Sequence, residues 1–217
     1  MQSFTEENYL KVIYHLSQIN PNAVQTNAIA EKMATRAASV TDMIKKLAEK
    51  KLVDYIKYQG VTLTPAGETA AIRIVRKHRL WEVFLVEKLK FKWDEVHDIA
   101  EELEHINSFA LIERLDDFLG FPKRDPHGDP IPNKEGIFEP SENMHLHQLG
   151  KGYTGIIIGV TEHSSPFLKH LEKLGLTIGV TLTVQEITDF DGSVELLVNS
   201  KTVNISKEVA QHILVKK

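Results

Sequence analysis

The chain has no cysteine among its 217 residues. That removes disulfides, thiol nucleophiles, iron–sulfur clusters and thiolate zinc sites, so any metal here is held by nitrogen and oxygen donors. No apolar run reaches the roughly 18 residues that a membrane span needs. The opening MQSFTEENYLKVIYHL has no basic start, apolar stretch and small-residue cleavage site in succession, so no signal peptide is read there. A soluble, cytoplasmic protein without a membrane partner is expected. With 42% hydrophobic and 26% charged residues, the chain is neither disordered nor fibrous as a whole, and it has room for one large domain or two small ones. Histidine, by contrast, is plentiful, at 10 residues. The net charge of −4 is unevenly spread: residues 1–75 carry +2, residues 76–145 carry −6 and residues 146–217 carry 0. A slightly basic start before an acidic middle suggests different partners for different regions.

The first region reads as a helix, a helix–turn–helix and a two-stranded wing. Thr5 with Glu6 and Glu7 opens a helix whose apolar face is Tyr9, Leu10, Val12, Ile13 and Leu16. Short helices over 26–33 and 39–50 flank a turn at 35–38. Strands over 53–58 and 61–64 flank Gln59-Gly60. This is the order of a winged helix-turn-helix; the competing reading is a small α/β bundle whose apolar spacing only makes a core. The second region, about 66–120, is long helices carrying more apolar surface than one domain edge needs, which predicts a homodimer. Five prolines and three glycines between Gly120 and Gly152 read as a linker with local turns. The remainder reads as short strands at 155–161, 180–187, 194–198 and 213–215, with a hairpin turn at Asp191-Gly192 and a short helix at 167–174, hence a small β-barrel. The fold class is mainly α with a β-barrel, divided as 1–65, 66–120, a linker 121–150, and 151–217.

The feature that carries chemistry is VHDIAEELEHINS. His97, Glu101, Glu104 and His105 stand at i, i+4, i+7 and i+8, about 100° of one helix face. His78 and Glu82 repeat the i, i+4 pairing upstream. Imidazoles and carboxylates at helical spacing on two helices are how bundles hold divalent metals; the alternative is a solvated polar face. Because these ligands face away from Val96, Ile99, Leu103 and Ile106, they are expected outside the core.

EENYLKVIYHL, AIAEKMATRAASVTDMIKKLAEKKLV, RKHRLWEVFL, VHDIAEELEH and GFPKRDPHGDPIP together resemble the diphtheria-toxin-repressor and manganese-transport-regulator family of metal-dependent transcriptional repressors, over essentially the whole chain. The resemblance implies a winged-helix DNA-binding domain, a helical dimerisation domain and an SH3-like C-terminal barrel. It implies two neighbouring metal sites. Carried over, the regulatory site takes Asn8, Glu101, Glu104 and His105, with His78 added in manganese-type members. For the ancillary site it offers Glu82, Asp125, His127 and His163 sharing an ion, or His78, Glu82 and His97. Glu101 points to the manganese-like class, where iron-type members carry Cys. Two residues depart from the pattern: Asn8 offers only a neutral carbonyl oxygen, and Lys11 stands where some manganese-type members have an acidic ligand. Oxygen and nitrogen donors suit Mn²⁺ or Fe²⁺, with other divalent transition metals binding in vitro.

The expected function is a metal-activated repressor of metal-ion homeostasis that binds a near-palindromic duplex as a dimer. Thr35, Arg36, Ala38, Ser39 and Thr41, with Lys45 and Lys46 behind them, would meet DNA, and Lys57, Tyr58 and Gln59 would form the wing tip. A metal-dependent hydrolase using the His/Glu cluster is the enzyme alternative, but there is no HExxH and no nucleophile elbow, so no catalysis is expected. A third reading is a winged-helix regulator that senses an organic ligand.

Overall fold

The computed structural model describes residues 2–19, 22–140 and 142–217. By internal contacts the chain forms two units. The first is Met1–His78 with Glu102–Ala110 and Pro132–Ile137; the second is Arg79–Glu101 with Leu111–Ile131 and Phe138–Lys217.

In the first unit, α1 (Phe4–Ile19), α2 (Thr26–Lys32) and α3 (Ala37–Glu49) precede a hairpin of β1 (Val53–Ile56) and β2 (Gly60–Leu63). Leu10, Ile13, Ile29, Val40, Ile44, Leu47 and Val61 are all fully buried, so the apolar stripes of the three helices close on one core with the inner face of the hairpin. The wing turn is Lys57-Tyr58-Gln59, with the Gln59 amide donating to the Ile56 carbonyl at 2.9 Å and Tyr58 left-handed at φ 67°. This three-residue loop shortens the first strand relative to the sequence reading and moves Gly60 into the second. Val24 holds the base of the wing through reciprocal backbone bonds to Val61 of 2.8 and 2.9 Å.

A 23-residue helix, α4 (Pro65–Glu87), follows, then α5 (Val96–Leu103) and α6 (Phe109–Phe118). The helix expected to run to Ile106 therefore stops at Leu103. Glu104 and His105 lie in the turn beyond it, closed by the Ile106 amide on the Leu103 carbonyl at 3.1 Å. Phe109 is 77% exposed and Phe118 63%, apolar surface of the kind that a second copy covers.

In the second unit, β3 (Met144–His145), β4 (Thr154–Val160), β5 (Thr181–Ile187), β6 (Val194–Val198), β7 (Lys201–Ile205) and β8 (Ile213–Lys216) form one antiparallel sheet in the order β3-β8-β4-β5-β6-β7. Register shifts at Ile157/Gly159 and Val184/Glu186 curl it into the SH3-like barrel. Leu168 and Leu171 of α7 (Ser165–Leu174), together with Ala210 of α8 (Lys207–Gln211), sit in its core. The β5–β6 connection spans six residues: Asp191-Gly192 forms part of it, closed by the Thr188 amide on the Ser193 carbonyl at 2.9 Å.

Candidate metal centres and DNA surface

On α1, Glu7 and Lys11 are one turn apart, and both are buried. Each meets a residue of the turn after α5. The His105 Nδ1 lies 2.6 Å from Glu7 Oε2, and its ring stacks on Phe4 at 4.7 Å between centroids. Lys11 Nζ lies 2.6 Å from Glu104 Oε1 and donates to Oε2 at 2.8 Å. His78 Nδ1 bonds the same Oε2 at 2.7 Å. Glu104 is fully buried. Burial works to raise its pKa, but the His78 hydrogen bond and the Lys11 charge outweigh it and hold the carboxyl below its ordinary value. Nearby, burial pushes the Lys77 ammonium down against the opposing pull of Glu7 and Glu104.

Two expectations change here. Glu104 and His105 belong to the core, because Lys11 and Glu7 supply the counter-charge and hydrogen bonds that make burial of a carboxylate and an imidazole affordable. Two donors of the expected regulatory site, Glu104 and His105, are also engaged by these contacts. Among the described residues, neither Glu104 nor His105 joins a group of three acidic or imidazole side chains close enough to share an ion. Asn8 is half-buried, and its Oδ1 is buried with no hydrogen-bond partner. Glu7, Lys11, His78, Glu104 and His105 thus form one buried cluster of ion pairs and hydrogen bonds.

The second unit offers a different geometry. One donor atom from each of Glu82, Asp125 and His127 lies within 4.8 Å of the others, and all three residues are buried. His127 Nε2 lies 2.7 Å from the Trp93 carbonyl, which fixes the ring and assigns that nitrogen the proton. Its Nδ1 is buried without a hydrogen-bond partner and lies 3.5 Å from Glu82 Oε2. An imidazole anchored through one nitrogen and presenting the other to two carboxylates is the arrangement of a metal-ligating histidine. Burial and the charges of Glu82 and Asp129 push the Asp125 carboxyl up, against the pull of Arg79 and His127. Burial opposes protonation of His127, but Glu82 and Asp125 overcome it and raise its pKa to about 9.

The segment carrying Asp125 and His127 is packed, although its composition reads as a linker. Asp125 Oδ1 accepts from the His127 amide at 2.8 Å and the Asp129 amide at 3.0 Å, folding the segment into a tight turn. Gly128 has φ +90°, and a Cβ there would fall 2.1 Å from the Ile158 carbonyl oxygen, so only glycine lets the turn lie on β4. The Val160 amide then bonds the His127 carbonyl at 2.9 Å. Arg79 lies 3.5 Å from Asp125 and 3.2 Å from Asp129.

His163 stacks on His127 at 4.7 Å, and its Nε2 lies 3.2 Å from the Val160 carbonyl and 3.9 Å from Asp129. It sits beside the three-residue group rather than within it. His97 is 3.6 Å from Glu82 and 3.7 Å from the exposed Glu101. Glu7, Arg79 and Asp129 were not singled out from sequence. Glu7 stands at i, i+4 to Lys11 on α1 and Asp129 lies in DPHGDP, which are signals legible in the sequence; Arg79 carries neither.

On the winged helix, Thr35, Arg36, Ala38 and Ser39 are exposed around the start of α3, and Thr41, half-buried, donates to the Ala37 carbonyl at 3.0 Å. Lys45 is exposed, 3.8 Å from Asp42. Lys46 and Lys50 instead converge on the buried Glu6, at 3.0 and 2.7 Å. Burial alone would raise the Glu6 pKa; Lys50, the Ser3 amide and Lys46 hold it at about 2. At the wing tip, Tyr58 is 87% exposed with Lys57 Nζ 4.9 Å from its ring, and the Gln59 carbonyl accepts from Gln25 at 3.0 Å.

A winged-helix reading head, helices rich in buried imidazole and carboxylate, and a small β-barrel together define a metal-responsive DNA-binding regulator. Residues 1–61 match the family profile of the iron dependent repressor N-terminal DNA binding domain, residues 64–133 that of its metal binding and dimerisation domain, and residues 144–217 the FeoA domain. The chain is 27% identical to the iron-dependent repressor IdeR of Mycobacterium tuberculosis over 225 aligned positions, covering 98% of this chain and 97% of that one. It is 35% identical to the HTH-type transcriptional regulator MntR of Oceanobacillus iheyensis over 119 positions, 55% of this chain and 80% of that one. Among solved structures, a manganese-dependent transcriptional repressor in complex with manganese superposes with a TM-score of 0.87 at 38% identity, covering 97% of this chain and 98% of that one. ScaR with bound Zn²⁺ gives 0.79 at 34%, covering 98% and 99%. The chain belongs to this family of metal-dependent transcriptional repressors.

Proposed function

We propose that this protein is a cytoplasmic, Mn²⁺- or Fe²⁺-activated repressor, without a catalytic step of its own, that binds a near-palindromic operator as a homodimer. The observation that carries the metal half of this reading is the buried Glu82–Asp125–His127 group, with His127 Nδ1 unpartnered and its ring fixed by the Trp93 carbonyl. These three residues fit a resident ion. His163 supports His127 by stacking, and His97, 3.6 Å from Glu82 and 3.7 Å from Glu101, is a further donor. A divalent ion held there would balance the charge of the two buried carboxylates. Carboxylate oxygens with one or two imidazole nitrogens favour Mn²⁺ or Fe²⁺ among the ions a cell offers, although Zn²⁺ binds such sets more tightly.

Asn8, Glu104, His105 and His78 are the first unit's donors toward the regulatory ion. Lys11 holds Glu104 and Glu7 holds His105, while His78 bonds Glu104 and the Asn8 Oδ1 has no hydrogen-bond partner. For the DNA half, Arg36, Thr35, Ser39 and Ala38 lead α3 into the major groove, with Thr41 and Lys45 behind and Lys57, Tyr58 and Gln59 touching the flanking backbone. Lys46 acts chiefly through Glu6. The working division of the chain is a DNA-binding domain 1–65, a helical domain 66–120, a connecting segment 121–150 and the barrel 151–217.

The test is a mobility-shift titration of a near-palindromic duplex with chelated protein, then with Mn²⁺ or Fe²⁺ restored. A large gain in affinity on adding metal is the expected result. Equal binding after chelation would overturn the metal dependence, and no specific binding in either state would overturn the repressor reading.

A further inference from the structure

We propose, building on the repressor reading above, that Lys11 is an internal cation that competes with the regulatory metal for Glu104 and so sets the metal concentration at which the protein responds. Lys11 Nζ lies 2.6 and 2.8 Å from the two Glu104 oxygens, as close as a protein cation approaches a carboxylate. Both side chains are withdrawn from water, at 9% and 0% exposure, so the pair is weakly screened. Glu104 completes its shell with His78 at 2.7 Å. Both of its oxygens lie against the Lys11 ammonium, so an ion and Lys11 cannot share this carboxylate without bringing like charges together.

The pair also performs a mechanical task. Lys11 and Glu7 project from one face of α1, and Glu104 and His105 are consecutive in the turn after α5, so two crossed contacts, acid to imidazole and ammonium to acid, fasten α1 to that turn. An ion bridging Asn8 to Glu104 and His105 would make the same fastening. Asn8, on the same helix as Lys11, has its Oδ1 buried with no hydrogen-bond partner. Metal entry at this site would therefore exchange one cation for another: the ion would take over the Glu104 carboxylate, and the Lys11 ammonium would give it up. The metal's apparent affinity is reduced by the stability of the pair that it breaks.

The first measurement uses the unaltered protein. Acylation of lysines by an amine-reactive ester, read by peptide mass spectrometry, is followed as Mn²⁺ is added. Lys11 is expected to be protected without metal and to become labelled as the regulatory site fills. Protection that persists through saturation would overturn the proposal. The second is calorimetric titration with Mn²⁺ of the full chain and of Lys11→Met and Lys11→Gln, with circular dichroism confirming their helix content. Each neutral variant is expected to bind the regulatory Mn²⁺ at least about tenfold more tightly, about 1.4 kcal/mol, while Lys11→Arg, which keeps the cation, shows no gain. Unchanged affinity in a folded neutral variant, or an equal gain in the arginine variant, would refute it. Failure of the repressor reading looks different: the wild-type mobility shift would then ignore metal, whatever the lysine variants do in the calorimeter.

Discussion

Replacing Glu104 by Gln keeps the shape of the side chain and one carbonyl acceptor but removes the charge. In the metal-free protein that leaves the Lys11 ammonium, 9% exposed, facing a neutral amide. Breaking a buried pair from one side costs about 3–5 kcal/mol, because the remaining charge has lost its compensation. His78, at 2.7 Å from the same carboxylate, loses a charged acceptor as well, which adds to the cost. Lys11→Met is milder, at about 1–3 kcal/mol, since His78 still serves the Glu104 carboxylate. The double variant removes both charges, and it is expected to recover about 1.5–3 kcal/mol relative to the sum of the single ones. The assay is guanidinium unfolding in excess chelator, followed by far-UV circular dichroism. Tryptophan fluorescence would be blind to the relevant change, because both tryptophans, Trp81 and Trp93, lie in the other unit. A Glu104→Gln cost below about 1 kcal/mol, or a cycle additive to within about 0.5 kcal/mol, would show that the pair is not the clamp inferred from its geometry.

Glu82→Gln and His127→Ala are each expected to remove one Mn²⁺ per subunit in equilibrium dialysis, and with it the roughly 2.7 kcal/mol of stabilisation that ligand at a hundred times its Kd confers; His163→Ala, which removes only a stacked neighbour, should weaken that ion by about 10–100-fold. Gly128→Ala forces a Cβ to 2.1 Å from the Ile158 carbonyl at φ +90° and should destabilise the second unit by about 2–4 kcal/mol and weaken the same ion, read by calorimetry. Arg36→Ala should lower operator affinity and reduce the log–log salt slope of binding by about 0.9, while Lys46→Ala reduces it by less, because Glu6 holds that ammonium.

Helical periodicity and turn chemistry located the winged helix well. Val40, Ile44 and Leu47 are buried as their spacing implied, and the Val194–Val198 strand stands where it was read. The errors have local causes. Strand β7, KTVNI, has three exposed polar residues, and its two apolar positions, Val203 and Ile205, are too few to establish a period. The wing turn rests on Tyr58 adopting a left-handed conformation, which nothing in its residue type announces. The RDPHGDPIP segment reads as linker because proline and glycine are counted as breakers. Here Gly128 is a close-packing residue and Asp125 a turn former, and together they bury a histidine at 0% exposure.

The candidate site shows where reading along a chain stops and pairing across it begins. Glu101, Glu104 and His105 share a helical spacing, and periodicity carries one helix through all three; the helix in fact ends at Leu103. Periodicity assigned Glu104 to the polar face because a lone carboxylate does not belong in a core. It belongs there only with Lys11, 93 residues away, and His78, 26 away, both of which the sequence displays and neither of which it pairs. Lys11 is visible in the sequence only as one basic residue on the first helix. Its meaning changes once its distance to Glu104 is known: an ammonium 2.6 Å from a buried carboxylate is what lets that carboxylate leave water, so the two residues have to be read as one unit although 93 positions separate them.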